Sequence, residues 1–322
     1  TKGRSRLAVG SSIDYLSMEL TLTESGDITI TNRAKCMTIL QDAGKEKCIP
    51  TTKPPMTKSS LRRALGNQEP LTDEELLERM AHNGRFNWLA QTTHVGIAVA
   101  TSIAQGLKPT KGTIAVSDLM YQWVQAHIDD GLISRSGDNS GFSISTDADW
   151  AGLHSVTGET RSRTGVMIMY NGMPVLWYTG LQKTISSQWC EGEDQIATSS
   201  ANAEAIAASE TLQRALHVSY IAEEMGMEVN RPLEIEIDAN AALGFINNTS
   251  SSTKMKHLDI REDWIQLIRD RGLAEFTKVD GKVIKADFMT KLLNRVEYNK
   301  QHKELAYTTI IESADTDSDS EE

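Results

Sequence analysis

The sequence has too few cysteines to be built on disulfides. Cys36, Cys48 and Cys190 are odd in number and far apart in 322 residues. That usage fits a reducing compartment, and no Cys/His spacing reads as a zinc site. Long hydrophobic runs are also missing, since no stretch of about 18 uncharged apolar residues is present to span a bilayer. The opening Thr1-Lys2-Gly3-Arg4 leads into no apolar signal core and has no initiator Met. The expectation is a piece of a longer chain without a secretory signal. Positive charge is in deficit, with 33 Lys and Arg against 44 Asp and Glu, for a net charge of -11. On its face that argues against a polyanionic partner. Seven of the acids, however, lie between Glu304 and Glu322, where there is no Lys or Arg, and without them the balance is -4. Bound metal would offset further carboxylates, so net charge leaves nucleic acid open as a partner.

An apolar fraction of 39% and six Trp are enough for real cores, and the length suits two or three compact units. Residues 1–60 read as a hairpin and linker. Ile13 to Leu20 is one broadly apolar strand, Glu24-Ser25-Gly26-Asp27 the turn, and Ile28-Thr29-Ile30 the return strand. A short helix is expected over Ala34 to Gln41, then an extended Thr51 to Ser60 around Pro54-Pro55. Residues 61–138 read as helical. Thr72 and Glu75 have the form of a capping box, with helices expected over Asn87 to Gln105 and Lys111 to Ile128 and their apolar positions in a helix–helix core. From residue 139 the pattern changes to strands, at Ile144 to Asp149, Thr164 to Met169 and Pro174 to Tyr178, the last two joined at Asn171-Gly172. A long helix over Ser199 to Met225 follows, then a strand at Leu233 to Ile237. Helices over Ala239 to Asn247 and Leu258 to Asp270, a strand at Ala274 to Val279 and a helix from Ala286 complete residues 139–300. This order implies a layered α/β domain with a mixed sheet. Residues 301–322 end in an acidic, Ser-rich tail expected to be disordered.

Four acids fall at element ends. Asp147 closes the first strand of the α/β unit, Glu204 lies near the start of the long helix, Asp238 follows the fourth strand, and Asp287 opens the last helix. A mixed sheet can bring strand ends to one edge, and a helix packed across it can add a further group. Carboxylates so gathered repel and would partly take up protons, and Mg²⁺, which wants oxygen ligands, would remove that cost. Two such ions about 4 Å apart suit phosphodiester hydrolysis. Taken singly, each acid reads as a solvated element end.

The motifs in order are similar to a family. Ser145-Thr146-Asp147-Ala148-Asp149-Trp150-Ala151-Gly152 resembles the "SDADWAG" opening of the ribonuclease H domain in Ty1/copia-type LTR retrotransposon Pol polyproteins. Arg161-Ser162-Arg163-Thr164-Gly165 resembles "RRSTSG", and Pro174 to Tyr178 resembles "PISWSS". Thr198 to Ala205 resembles "SSTEAEY", and Ile237-Asp238-Ala239-Asn240-Ala241-Ala242 resembles "CDNQSA". Lys256-His257-Leu258-Asp259-Ile260-Arg261 resembles "KHIDIR", and Ala286-Asp287-Phe288-Met289-Thr290-Lys291 resembles "ADILTK". Upstream, Asn87 to Thr93 is similar to the "LYLAQTTRPDI" connection helix, and Ile13 to Ile30 to the hairpin that follows the polymerase palm. The palm's "YVDD" aspartates are not in this sequence.

The resemblance implies a ribonuclease H-like fold, a mixed five-stranded sheet flanked by helices, preceded by a small, mostly helical connection region of a reverse transcriptase. It implies an endonuclease that hydrolyses the RNA strand of RNA–DNA hybrids, with Asp147, Glu204, Asp238 and Asp287 holding two Mg²⁺, or Mn²⁺. Asp149 is the alternative at the first position. Arg161, Arg163, Lys183, Lys256, His257 and Arg261 would meet nucleic acid, or else stand as ordinary solvated or packed side chains. The implied partners are the hybrid and the polymerase portion of the same polyprotein, with no membrane. The expected location is the cytoplasm, with virus-like particles and the nucleus as alternatives. Departures from the pattern, such as Ala239-Asn240-Ala241 for "NQS", Ala205 where "EAEY" has its Tyr, and acidic Glu191 to Asp194, motivate an alternative: a catalytically degenerate module that only binds nucleic acid or acts as a scaffold. An exonuclease or integrase of the same fold group ranks lower, because exonucleases of this kind open with Asp-x-Glu.

Overall fold

The computed structural model describes residues 6–186, 196–197, 200–247 and 256–307. The acidic segment Glu191 to Asp194 and the tail from residue 308 lie outside them, while residues 301–305, expected to be disordered, are helical. The N-terminal part is a four-stranded antiparallel sheet in the order β1 (Ser11–Tyr15), β2 (Met18–Leu22), β3 (Ile28–Thr31), β4 (Gly131–Ser134), packed with five helices. The helices are α1 (Arg33–Asp42), α2 (Lys58–Leu65), α3 (Asp73–Thr92), α4 (Ala98–Gly106) and α5 (Lys111–Ala126). The strand expected from Ile13 to Leu20 is instead two strands. Leu16 and Ser17, with φ of 50° and 63°, make a two-residue turn between Tyr15 and Met18. Both central residues have positive φ, as in the hairpin turn that matches strand twist, but neither is the Gly or Asn that would advertise it. The helix expected over Asn87 to Gln105 is also divided. Asn87 continues α3, begun under the Thr72–Glu75 capping box, and the chain breaks at Thr93-His94 before α4.

The second sheet has six strands in the order β10-β9-β5-β6-β7-β8. They are β5 (Phe142–Asp149), β6 (Arg161–Tyr170), β7 (Met173–Ser186), the two-residue β8 (Ile196–Ala197), β9 (Leu233–Ile237) and β10 (Ala274–Lys278). A four-residue helix α6 (His154–Thr157) follows β5, and α7 (Ser200–Glu224), α8 (Asn240–Asn247), α9 (Lys256–Asp270) and α10 (Arg295–Leu305) are the remaining helices among the described residues. Strands β5, β6 and β7 are antiparallel, and β9 and β10 are added parallel to β5. Five main strands in this order, with α7 crossing the sheet, form a ribonuclease H-like fold, to which β8 adds a short edge. The helix expected from Ala286 is a 3₁₀ turn, Lys285–Met289, and the last helix among the described residues is α10.

The sheet is covered on both faces, which explains the unbroken apolar run in β6. Val166 and Ile168 pack with Leu212, Ile235 and Ile265 under α7, α8 and α9. Met167 and Met169 point the other way, into one core with Phe86, Leu89, Trp123, Phe288 and Met289. Trp177 joins the parts by a hydrogen bond, its Nε1–H donating to the Ala90 carbonyl at 2.6 Å. Among the described residues no helix is long and apolar enough to cross a membrane.

Candidate metal-binding active site

The site begins where two parallel strands part. β5 and β9 are paired only at Ile144↔Ile235 and Ser145↔Glu236. Asp147 and Asp238 each stand two residues beyond the last pair, so they lie level across the opening at the strands' carboxyl ends. Open α/β sheets commonly take ligands in such a crevice. Helix α7 closes it from one face. Ala203 and Ala207 let the helix sit close on Ala148. The Thr211 hydroxyl donates to Thr146 Oγ1 at 2.8 Å, and Gln182 Nε2 donates to the Ala203 carbonyl at 2.8 Å. Glu204, held in this way near the start of the helix, accepts the Ala148 N–H. Carboxylate oxygens of Asp147, Glu204 and Asp238 all lie within 4.8 Å of one another.

A glycine admits the fourth acid. Gly165 is opposite Asp147 in β6, and a Cβ there would come within 2.5 Å of Thr290 Cγ2 and 2.7 Å of the Ala286 carbonyl oxygen. Because that Cβ is missing, the turn over Lys285–Met289 lies against the sheet and delivers Asp287, Thr290 and Lys291 to the site. The Thr290 hydroxyl donates to Asp147 Oδ2. Lys291 Nζ is 2.6 Å from Asp287 Oδ1 and 3.5 Å from Asp147 Oδ2.

The electrostatics are those of crowded acids. Burial, then Asp147 and Asp238, pushes the Glu204 carboxyl up to about 9, and its Oε2 has no hydrogen-bond partner. Burial, then Asp147, raises Asp287 to about 7 against the opposing pull of Lys291. Lys291 is itself held above its ordinary value. Burial works against its charge, but Asp147, Asp287 and Asp238 outweigh that. The cluster therefore carries more anionic demand than one ammonium meets. An all-oxygen donor set of this kind fits a hard divalent cation such as Mg²⁺ or Mn²⁺.

Asp149 takes a different place. Its carboxyl is raised by burial and then by Asp147, and it lines a neighbouring cavity of about 450 Å³ with Ser102, Arg161, Arg163 and Leu181. The basic residues divide. Arg163 is 4% exposed, and its guanidinium donates to Ser102 Oγ at 2.7 Å and Thr179 Oγ1 at 3.0 Å. It holds β6 to α4 and β7 while lining that same cavity, a place set by the burial of its strand on both faces. Arg161 is exposed but paired with Glu159 at 2.7 Å. Lys183 is exposed on β7 and Arg261 half-buried on α9. The side chains of Lys256 and His257 lie outside the described ones, as does Lys254. Thr290 and Lys291 are the site residues that sequence reasoning does not single out. Their signal is local, since Asp287 and Lys291 are spaced to pair along one turn.

No protein-family model matches the chain. Over 153 residues, 48% of its length, it is 27% identical to the Retrovirus-related Pol polyprotein from transposon TNT 1-94 of Nicotiana tabacum. The matched stretch spans about a tenth of that relative, 10% of its length. Among solved structures, LC11-RNase H1, isolated from compost, is 18% identical, with 47% of this chain and 92% of that one covered at a TM-score of 0.31. The fold assignment rests on the strand order itself. The 153-residue match is a homology to part of a retrotransposon Pol polyprotein.

Proposed function

We propose that this chain, homologous over 153 residues to a retrotransposon Pol polyprotein, carries a divalent-metal-dependent ribonuclease H that cuts the RNA strand of RNA–DNA hybrids. The observation that carries the reading is the gathering of Asp147, Glu204 and Asp238 within 4.8 Å, from two strand ends and a helix. Asp147, Glu204, Asp238 and Asp287 would hold the cations. When bound, a pair of such ions supplies an activated water and stabilises the leaving oxygen of a phosphodiester. The chain's own groups set the stage for that chemistry. Thr290 fixes the rotamer of Asp147, the Ala148 N–H fixes Glu204, and Lys291 screens Asp147 from Asp287.

Substrate positioning falls to basic residues. Lys183 and Arg161 are the described candidates for phosphate contacts, with Arg261, Lys256 and His257 on α9. Such contacts fix register on the duplex, and 2′-hydroxyl contacts distinguish the RNA strand. The polymerase portion of a Pol polyprotein is the natural partner on this reading.

The test is incubation with Mg²⁺ and end-labelled hybrid, DNA duplex and single-stranded RNA. The expected outcome is cleavage confined to the RNA strand of the hybrid. Tight hybrid binding with no cleavage in Mg²⁺ or Mn²⁺ would instead favour the binding-only module.

A further inference from the structure

A second set of metal-type donors lies outside the carboxylate site. His127 follows the last turn of α5, Asp130 precedes β4, and His302 sits on α10. The three are 3%, 1% and 4% exposed, and a donor atom of each lies within 4.8 Å of the other two. His127 Nδ1 is 2.8 Å from the Trp123 carbonyl, to which it donates, leaving the Nε2 lone pair available. His302 Nε2 has no hydrogen-bond partner and stands 3.8 Å from Asp130 Oδ2, beyond hydrogen-bond reach. Its ring is locked in that direction. It stacks on Tyr298 at an interplanar angle of 18° and on Phe288 at 20°, and meets Trp123 edge-on at 65°. Gly96 makes room for it, because a Cβ there would come 2.8 Å from His302 Cδ2.

A buried polar nitrogen aimed at a carboxylate it does not reach is costly unless something lies between them. We propose that His127, Asp130 and His302 bind one transition-metal ion of the Zn²⁺ class, which ties the end of α5 and the start of β4 to α10. Two imidazoles and a carboxylate form a borderline-soft set that favours Zn²⁺ over Mg²⁺, unlike the all-oxygen site. Bonds of about 2.0–2.2 Å around a tetrahedral ion place donors roughly 3.3–3.5 Å apart, so the 3.8 Å gap closes with a small side-chain movement. His127 has the outer partner expected of a ligand, its second ring nitrogen donating to a carbonyl. Two of the ligands, His127 and Asp130, lie mid-chain and the third, His302, far downstream on α10, so a search for local Cys/His spacing passes over them. The inference is independent of the nuclease reading.

The test uses the full chain, refolded with Zn²⁺ and freed of excess metal, with content measured by elemental mass spectrometry. One equivalent per chain is expected in the wild type and in an Asp147→Asn/Asp238→Asn double variant. It should be lost from His302→Gln and Asp130→Asn, whose folding is checked by circular dichroism. Substitution of Co²⁺ into the wild type gives a readout that needs no variant, the visible ligand-field absorption of a nitrogen-ligated, low-coordinate centre. Absence of that absorption would overturn the proposal. So would zinc that survives in His302→Gln and Asp130→Asn yet disappears from the acidic double variant.

Discussion

At the scale of single residues, Glu204 and Lys291 hold opposite ends of the same electrostatic problem. Glu204 has a carboxyl raised to about 9 from an ordinary 4.5. Between those values the unfolded chain has given up a proton that the folded chain keeps. Its contribution therefore makes the metal-free protein less stable as pH rises through that window. Melting temperatures in EDTA from about pH 5 to about pH 9 should fall more steeply for the wild type than for Glu204→Gln. Mg²⁺ should restore more stability at the alkaline end. A variant with the same pH slope as the wild type would mean that Glu204 is not the buried acid described. Lys291 acts from the other side as the built-in cation between Asp147 and Asp287. Lys291→Met should cost roughly 10–100-fold in hybrid cleavage, the range typical of groups that orient metal ligands. Unchanged rates across a Mg²⁺ titration would remove it from the site.

At the scale of elements, the acids are placed by three packing facts: the short β5–β9 pairing, the small-residue face of α7, and the glycine under the turn at Lys285–Met289. The last is open to a direct trial. Gly165→Ala puts a Cβ against Thr290 and Ala286 and should cost about 1–3 kcal/mol by urea denaturation, as overpacked sites do. It should also lower activity while the circular dichroism spectrum stays native. Full activity would mean that the turn's position does not set the site. Much of this layout was legible in the sequence. The alternation in Leu233 to Ile237 ends at Asp238, the Ala-rich run around Glu204 signals a helix packed close, and Asp147 lies near the end of a strand. What could not be read was set by tertiary contact. The turn at Leu16-Ser17 uses two residues with no preference for the positive φ it requires. The break at Thr93-His94 is fixed by burial of His94 against the His127 carbonyl at 3.0 Å. β4 is four residues long and exists because it pairs with β3. Arg163 carries the same local signal as an exposed arginine, and its burial follows from the two-sided packing of β6.

At the scale of the whole molecule, the apolar core does not stop where the N-terminal helices end. Met167, Met169, Phe288 and Met289 share a core with α3, α4 and α5, and Tyr298 on α10 donates to the Gly96 carbonyl at 3.0 Å. The chain should therefore lose both sheets in one cooperative transition, with fluorescence and far-ultraviolet circular dichroism changing together. Two separated transitions would contradict a shared core. The function proposed for the assembled molecule depends on its carboxylates acting as one cation-binding site on hybrid. The most direct measurement is single-turnover cleavage of a labelled RNA–DNA hybrid in Mg²⁺ by the wild type and by Asp238→Asn. The account predicts cleavage by the wild type and a loss in the variant greater than the roughly 100-fold associated with orienting groups. Equal rates for the two proteins would contradict it.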